Sequence, residues 1–214
     1  MRSPKIPPMA TDIVQTAITA FDGVEFSHLS SCDKCGGPVQ GYDTKTKKFA
    51  VLHDGDRKRV ITVQVRRFTC RNCKSLCYAD EPFYPGTRIG SIIIDLFFTL
   101  ATTMSRSRAA RVIEAMGIVV NRTTWQHYTG EMIPDIQTAD VFGMRLPFSV
   151  LSISGLAAAC REGGRIIGAE ALAACGFPSA YRAPADRAVT VQKRDERDNE
   201  EEKEKGESEE KKSP

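Results

Sequence analysis

An α+β fold is predicted for this chain on three observations. Two Cys-x-x-Cys pairs, Cys32 with Cys35 and Cys70 with Cys73, frame a stretch whose apolar residues alternate as they do in β-strands. From Ile89 onward the apolar period becomes helical, with Ile89, Ile92, Ile93, Leu96, Phe97 and Leu100 on one face. After Arg187 the chain is almost all Glu, Lys, Asp and Arg, which cannot bury enough surface to offset the entropy of ordering. In order, the elements expected are a leader with a short helix (1–27), a cysteine-bounded hairpin (28–82), a helical unit (86–131), a helical packing or dimerisation segment (132–185) and a disordered charged tail (186–214).

Three prolines make Met1 to Met9 an extended leader, and Ile13, Val14, Ala17, Ile18 and Phe21 then fall at helical spacing. The strands are expected over Lys48–His53 and Arg59–Thr69, separated by Asp54-Gly55-Asp56, a turn signal of the kind that closes hairpins. Alternation along the second strand puts Arg66 and Arg67 on opposite faces. Gly41 to Lys48 is either a loop or an additional strand.

Each cysteine pair can place two thiolates about 2.3 Å from one ion, and two pairs complete a closed tetrahedral shell, the chemistry of one structural Zn2+. Cys32, Cys35, Cys70 and Cys73 are therefore the expected ligands. A closed shell leaves no position for a substrate, so the metal organises the fold and does no chemistry itself, and the protein is expected to be non-enzymatic. Two knuckles joined through a hairpin make a zinc ribbon, although 34 residues separate Cys35 from Cys70 where compact ribbons use about 15 to 20. Cys77 is read as a buried free thiol rather than a fifth ligand. His28 is the one histidine near a knuckle.

Composition narrows the class further. The chain has 214 residues, 41% of them hydrophobic, and its longest apolar run, Ile89 to Ala101, contains Asp95 and falls short of the roughly 20 residues that cross a bilayer. No signal-peptide pattern opens it, and seven cysteines are an odd number, which argues for reduced thiols and a cytoplasmic location. The net charge of +3 hides an uneven distribution. Residues 32–122 hold 16 Lys and Arg against 8 Asp and Glu, and residues 191–214 hold 7 against 10. A basic folded part suggests a polyanionic partner, with neither a membrane nor a small-molecule substrate.

A second helix is expected from Ser105 to Met116, with Ala109, Val112, Ile113 and Met116 inward and Gly117 ending it. Ile118-Val119-Val120 then leads to Asn121, a good N-cap, and a third helix begins with Arg122-Thr123-Thr124-Trp125-Gln126-His127-Tyr128. Helix, glycine, short connection and capped helix form the pattern of a helix-turn-helix. In that arrangement Trp125 and Tyr128 face Ile113 and Met116. Asn121, Arg122, Thr123, Gln126 and His127 face outward toward base edges, and Thr124, Arg106, Arg108 and Arg111 are placed for phosphates. A three-helix packing unit with a solvated basic face would show the same pattern.

The order CDKCGG (32–37), VQVRRFTCRNC (63–73), EPFYPGTRIGSIIIDL (81–96) and SRSRAARVIEAMGIVVNRTTWQHY (105–128) resembles the N-terminal DNA-binding portion of prokaryotic, often archaeal, insertion-sequence transposases. The resemblance covers about half the chain. It implies a zinc ribbon ahead of a helix-turn-helix that grips duplex DNA, zinc on the four cysteines, and DNA contacts from Arg122, Thr123, Gln126 and their neighbours. Such transposases continue into a ribonuclease-H-like domain with a carboxylate trio, for which the remaining residues offer no series of strands, so no nuclease activity is expected.

From Leu146 to Ala183 the chain is rich in Ala, Leu and Gly and suggests two helices around Gly163-Gly164, with Cys160 and Cys175 as small apolar fillers. The function expected is a DNA-binding protein, either a transposase-derived regulator or the DNA-binding part of a transposase, nucleoid-associated when bound and able to form a homodimer. The alternatives are a zinc-ribbon adaptor that binds polypeptides and a subunit of a transposase whose catalytic domain is separately encoded.

Overall fold

The computed structural model describes residues 6–55, 57–84, 86–121, 124–127, 136–160 and 164–176. The chain is α+β, as its patterning predicts. The first helix, α1 (Pro8–Thr19), starts within the expected leader, because a proline at the first helical position loses no hydrogen bond there and its φ already suits a helix. Its buried residues Ala10, Val14, Ala17 and Ile18 form one stripe, which packs against α5 (Phe148–Ala159).

Two strands organise the rest: β2 (Val39–Asp54) and β3 (Arg57–Cys70) form a long antiparallel hairpin closed at Gly55, whose φ of +59° favours glycine. The stretch 41–48 is continuous strand, not a loop. Repeated Thr and Lys there carry no turn signal, and pairing runs through with single-residue bulges at Tyr42 and Phe49. On the far side of β3 lie β1 (Glu25–Phe26), parallel to Gln64–Val65, and β4 (Leu76–Tyr78), antiparallel to Arg67–Thr69.

The bulge at Phe49 has a packing role. It carries the Phe49 ring into the core, stacked on Phe21 at 4.3 Å between centroids and edge-on to Phe83 at 5.9 Å. Gly90 lies against this ring so closely that a Cβ there would come within 2.3 Å of it. Ile61, Val63 and Val65 line the same inner face of the sheet.

The helix α2 (Ser91–Ala101) begins at Gly90 and is apolar on every side, which suits a position at the centre of the core. Its one carboxylate, Asp95, accepts hydrogen bonds from the Tyr84 hydroxyl and from Ser149 Oγ at 2.7 Å. Burial pushes the Asp95 carboxyl up to about 6, against the opposing effect of these two donors. After α3 (Arg106–Ala115) the chain turns at Gly117 and runs along β2: Ile118 bridges Leu52, and the Val119 N–H reaches the Val51 carbonyl at 2.8 Å.

Between residues 136 and 147, where helix was expected, the structure has a small hairpin of β5 (Thr138–Val141) and β6 (Met144–Pro147), turned at Phe142 and Gly143, both at positive φ. The two later helices are present as α5 and α6 (Gly168–Cys175). One cluster of buried side chains draws on α1, the hairpin, α2, α3, α5 and α6. Among the described residues no helix is long and apolar enough to cross a membrane. The expected charged tail, residues 186–214, lies outside the described residues.

Candidate metal centre and nucleic-acid surface

The hairpin itself brings the knuckles together. Val39, at the start of β2, pairs with Cys70, at the end of β3, so the long interval between the cysteine pairs is the two arms of one ribbon whose ends meet. Residues 32–37 and 70–75 then fold alike. The Gly36 N–H donates to the Cys32 carbonyl at 2.9 Å and the Lys74 N–H to the Cys70 carbonyl at 3.1 Å. The Cys32 N–H donates to the Gly37 carbonyl at 3.0 Å and the Cys70 N–H to the Ser75 carbonyl at 2.9 Å. The residue after each pair is left-handed, Gly36 at φ +65° and Lys74 at φ +58°. Glycine takes that conformation freely and lysine does so at a cost.

This folding gathers the Sγ atoms of Cys32, Cys35, Cys70 and Cys73, all within 4.8 Å of one another. Cys32 and Cys73 are 3.6 Å apart, and Cys35 and Cys70 are 3.5 Å apart. Four sulfurs each about 2.3 Å from a tetrahedral ion would be separated by about 3.8 Å, so the cluster fits a metal ion with only small adjustments. Cys32 and Cys70 are buried while Cys35 and Cys73 face solvent. The Ser75 hydroxyl and N–H bring the Cys73 thiol down to about 6. At Cys35 the Gly37 N–H favours the thiolate, but Cys70 and Cys73 outweigh it and push the thiol up to about 12. A bound cation would draw all four toward the thiolate.

Cys77 is buried, as expected, with its thiol 3.5 Å from Cys32 Sγ and outside the four-cysteine group. Burial pushes it up to about 11, which keeps it a neutral donor to Cys32. Leu29, Phe68 and Val39 complete a small cluster around these sulfurs, with Phe68 also packed against the main core. His28 is not among the grouped ligands, and its carbonyl accepts the Asp80 N–H at 2.9 Å.

The residues expected to meet DNA are spread over two helices. Arg106 and Arg108 stand exposed on α3, with the Arg106 guanidinium 5.8 Å from the Phe98 ring centroid, while Arg111 is half-buried and its Nε donates to the Ser107 carbonyl at 3.4 Å. Asn121 is exposed and its carbonyl accepts the Thr124 N–H at 3.0 Å, opening the short helix α4 (Thr124–His127). Thr124 is half-buried; Gln126 and His127 belong to α4, and Arg122, Thr123 and Tyr128 lie outside the described residues. Trp125 points inward, as expected, and stacks on Phe97 of α2 with centroids 4.0 Å apart. Lys45 and Lys48 of β2 and Arg66 of β3 are exposed as well and were not among the residues expected to meet DNA.

Cys160 is half-buried and Cys175 is buried on α6, both away from the sulfur cluster. Compared with protein families, with curated proteins and with solved structures, the chain matches none of them.

Proposed function

We propose that this chain is a DNA-binding protein in which one Zn2+ on Cys32, Cys35, Cys70 and Cys73 has a structural role. Zinc suits a set of four thiolates, and such a set leaves no open position for chemistry, so the work of the protein falls to its surface. The observation that carries the reading is the charge of that surface. Residues 32–122 hold twice as many basic as acidic side chains, and among the described residues Lys47, Arg59 and Arg67 are held in ion pairs. Arg106 and Arg108 on α3 belong to the remainder. The order of motifs supports a transposase-derived regulator or the DNA-binding part of a transposase, with α3 and α4 as its helix-turn-helix.

Binding of zinc-loaded protein to duplex DNA should weaken at least tenfold between about 50 and 200 mM salt, as displaced counterions are restored. Affinity for duplex no greater than that of an acidic control protein at low salt would sink the reading. A neighbouring gene for a catalytic domain, flanked by inverted repeats, would assign the chain to a working element; their absence would favour the regulator.

A further inference from the structure

Burial along the ribbon separates its two faces. Ile61, Val63 and Val65 of β3 point into the core, so Thr62, Gln64 and Arg66 point outward, and their partners on β2 are Lys48, Thr46 and Thr44. The hydrogen bond from Thr46 Oγ1 to Gln64 Oε1, 2.9 Å long, shows that the paired side chains share that outer face. None of these six is acidic.

The acids of the region are engaged elsewhere. Asp43 is bound by Arg67, Glu81 by Lys47 at 2.5 Å, and Asp22 by Arg59 at 3.0 Å. Among the described residues two carboxylates flank this face: Asp22, whose Oδ1 also accepts the Thr62 N–H at 3.2 Å, and Glu25 of β1, the register partner of Gln64 on the far side of β3. Lys48 and Arg66 form no ion pair among the described residues, and Arg66 lies with its guanidinium 5.8 Å from the Phe68 ring centroid.

The edge beside this face is also open over part of its length. β3 has β1 and β4 on its far side, while the outer edge of β2 is met by Gly90 and residues 117–119 at Phe49–His53. Among the described residues no strand pairs with that edge over 40–48, and residues 40–46 are exposed on both faces. Lys45 therefore reaches solvent although it points to the inner side of the strand. Lysines on an edge strand discourage pairing with another chain. That explains Lys45 but not Arg66, which stands one strand in from the edge.

We infer that the outer face and open edge of the ribbon, centred on Thr44, Lys45, Thr46, Lys48 and Arg66, form a second contact surface for duplex DNA that grips the phosphate backbone. The inference rests on the DNA-binding reading and adds a site separate from the helices. Hydroxyls, ammonium groups, a guanidinium and free strand N–H groups are the donors that phosphates take, and they position a protein without reading sequence. Thr44 to Lys48 spans about 14 Å of strand, equal to about four base-pair steps of 3.4 Å. An acidic peptide is the less suitable occupant, because none of these five side chains is an apolar anchor. The metal acts at the root of the surface, since pairing of Val39 with Cys70 holds the exposed arm of β2 in register.

The test uses the full zinc-loaded chain and a random-sequence duplex of about 30 base pairs, with binding followed by fluorescence anisotropy across salt. Lys48→Glu with Arg66→Glu should weaken binding at least tenfold and reduce the slope of log Kd against log salt by about 2, one contact for each charge. Lys48→Gln with Arg66→Gln should give the smaller loss in the same direction, and zinc content shows that both pairs remain folded. Wild-type affinity in both ribbon pairs, with binding lost in Arg106→Glu with Arg108→Glu, would overturn the inference and leave DNA binding to the helices. No duplex binding by the parent would overturn both. Poly-glutamate competing as well as duplex would replace DNA by an acidic polypeptide and overturn it as well.

Discussion

The two halves of the β2–β3 ribbon are stabilised by different means. Near its closed turn the ribbon lies on the helical core, where Phe49, Ala50, Leu52, Ile61 and Val63 are buried against α1, α2 and the segment after α3. Near the knuckles residues 40–46 are exposed on both faces, and apolar support comes from the β3 side, from Val65 and Phe68 and from the small group of Leu29 and Val39 around the cysteines. One half is held by hydrophobic burial. The other carries less apolar surface, and there four thiols converge, those of Cys32 and Cys70 buried. Both halves expose basic side chains, Arg57, Lys58 and Arg59 beside the turn and Lys45 and Arg66 nearer the knuckles, because among the described residues the outer face of the ribbon is covered by no helix of the core.

The largest expected effect separates the halves outright. Structural zinc contributes on the order of 10–16 kcal/mol of apparent binding energy in small zinc domains. Chelation, or Cys70→Ser, should therefore abolish amide-exchange protection over 40–46 and 66–70 while amides at 61–63 stay protected. Uniform loss of protection along both strands would show instead that the ribbon unfolds as one unit.

Phe49→Ala attacks the other half. Deleting a ring that is stacked on Phe21 and edge-on to Phe83 should cost about 3–5 kcal/mol of global stability, read from denaturant unfolding. The metal affinity of the folded protein should change little. A tenfold loss of zinc affinity in this variant would mean that the core end transmits its strain to the knuckles.

Asp95 gives the core half a pH dependence of its own. Its carboxyl sits at about 6 in the fold against an ordinary 3.8, so the folded chain holds a proton that the unfolded chain has released. The sign follows: stability from this group is full below about pH 4, falls as pH rises through about 6 and is level above, with a maximum change of about 3 kcal/mol. Asp95→Asn should flatten the slope over that range. Because Cys73, brought down to about 6, also titrates there, parent and variant are compared with chelator present in both. An identical slope in the two would place the titration elsewhere.

What could be read in advance follows the same division. The cysteine pairs, the turn at Gly55 and the helical stripes of α2 and α3 depend on local spacing, and these were legible. The full length of β2 was not, since Asp43 to Lys48 alternates Thr and Lys without apolar residues and is held as strand by pairing with β3, a non-local cause. The β5–β6 hairpin was missed for the same reason: its four-residue strands are too short for a period to emerge, and β6 is placed by packing on α2. The grouping of Cys32, Cys35, Cys70 and Cys73 was legible because each pair is encoded in adjacent residues. The basic face was not, because it required knowing which side of β3 the core covers.

The smallest expected effect lies within the knuckle half, where the two loops differ at one equivalent position. Both require a left-handed residue after the second cysteine, and the first loop has Gly36 while the second has Lys74. A side chain in that conformation costs about 1 kcal/mol, so Lys74→Gly should raise zinc affinity up to about fivefold and Gly36→Ala should lower it by a similar factor, measured against a chromophoric chelator. Lys74 is exposed, so packing should not mask the gain, although the added freedom of glycine in the unfolded chain offsets part of it. Opposite signs in the two variants would show that each loop is strained only by its own backbone. A loss in both would show that the Lys74 side chain contributes to the knuckle in a way its φ does not reveal.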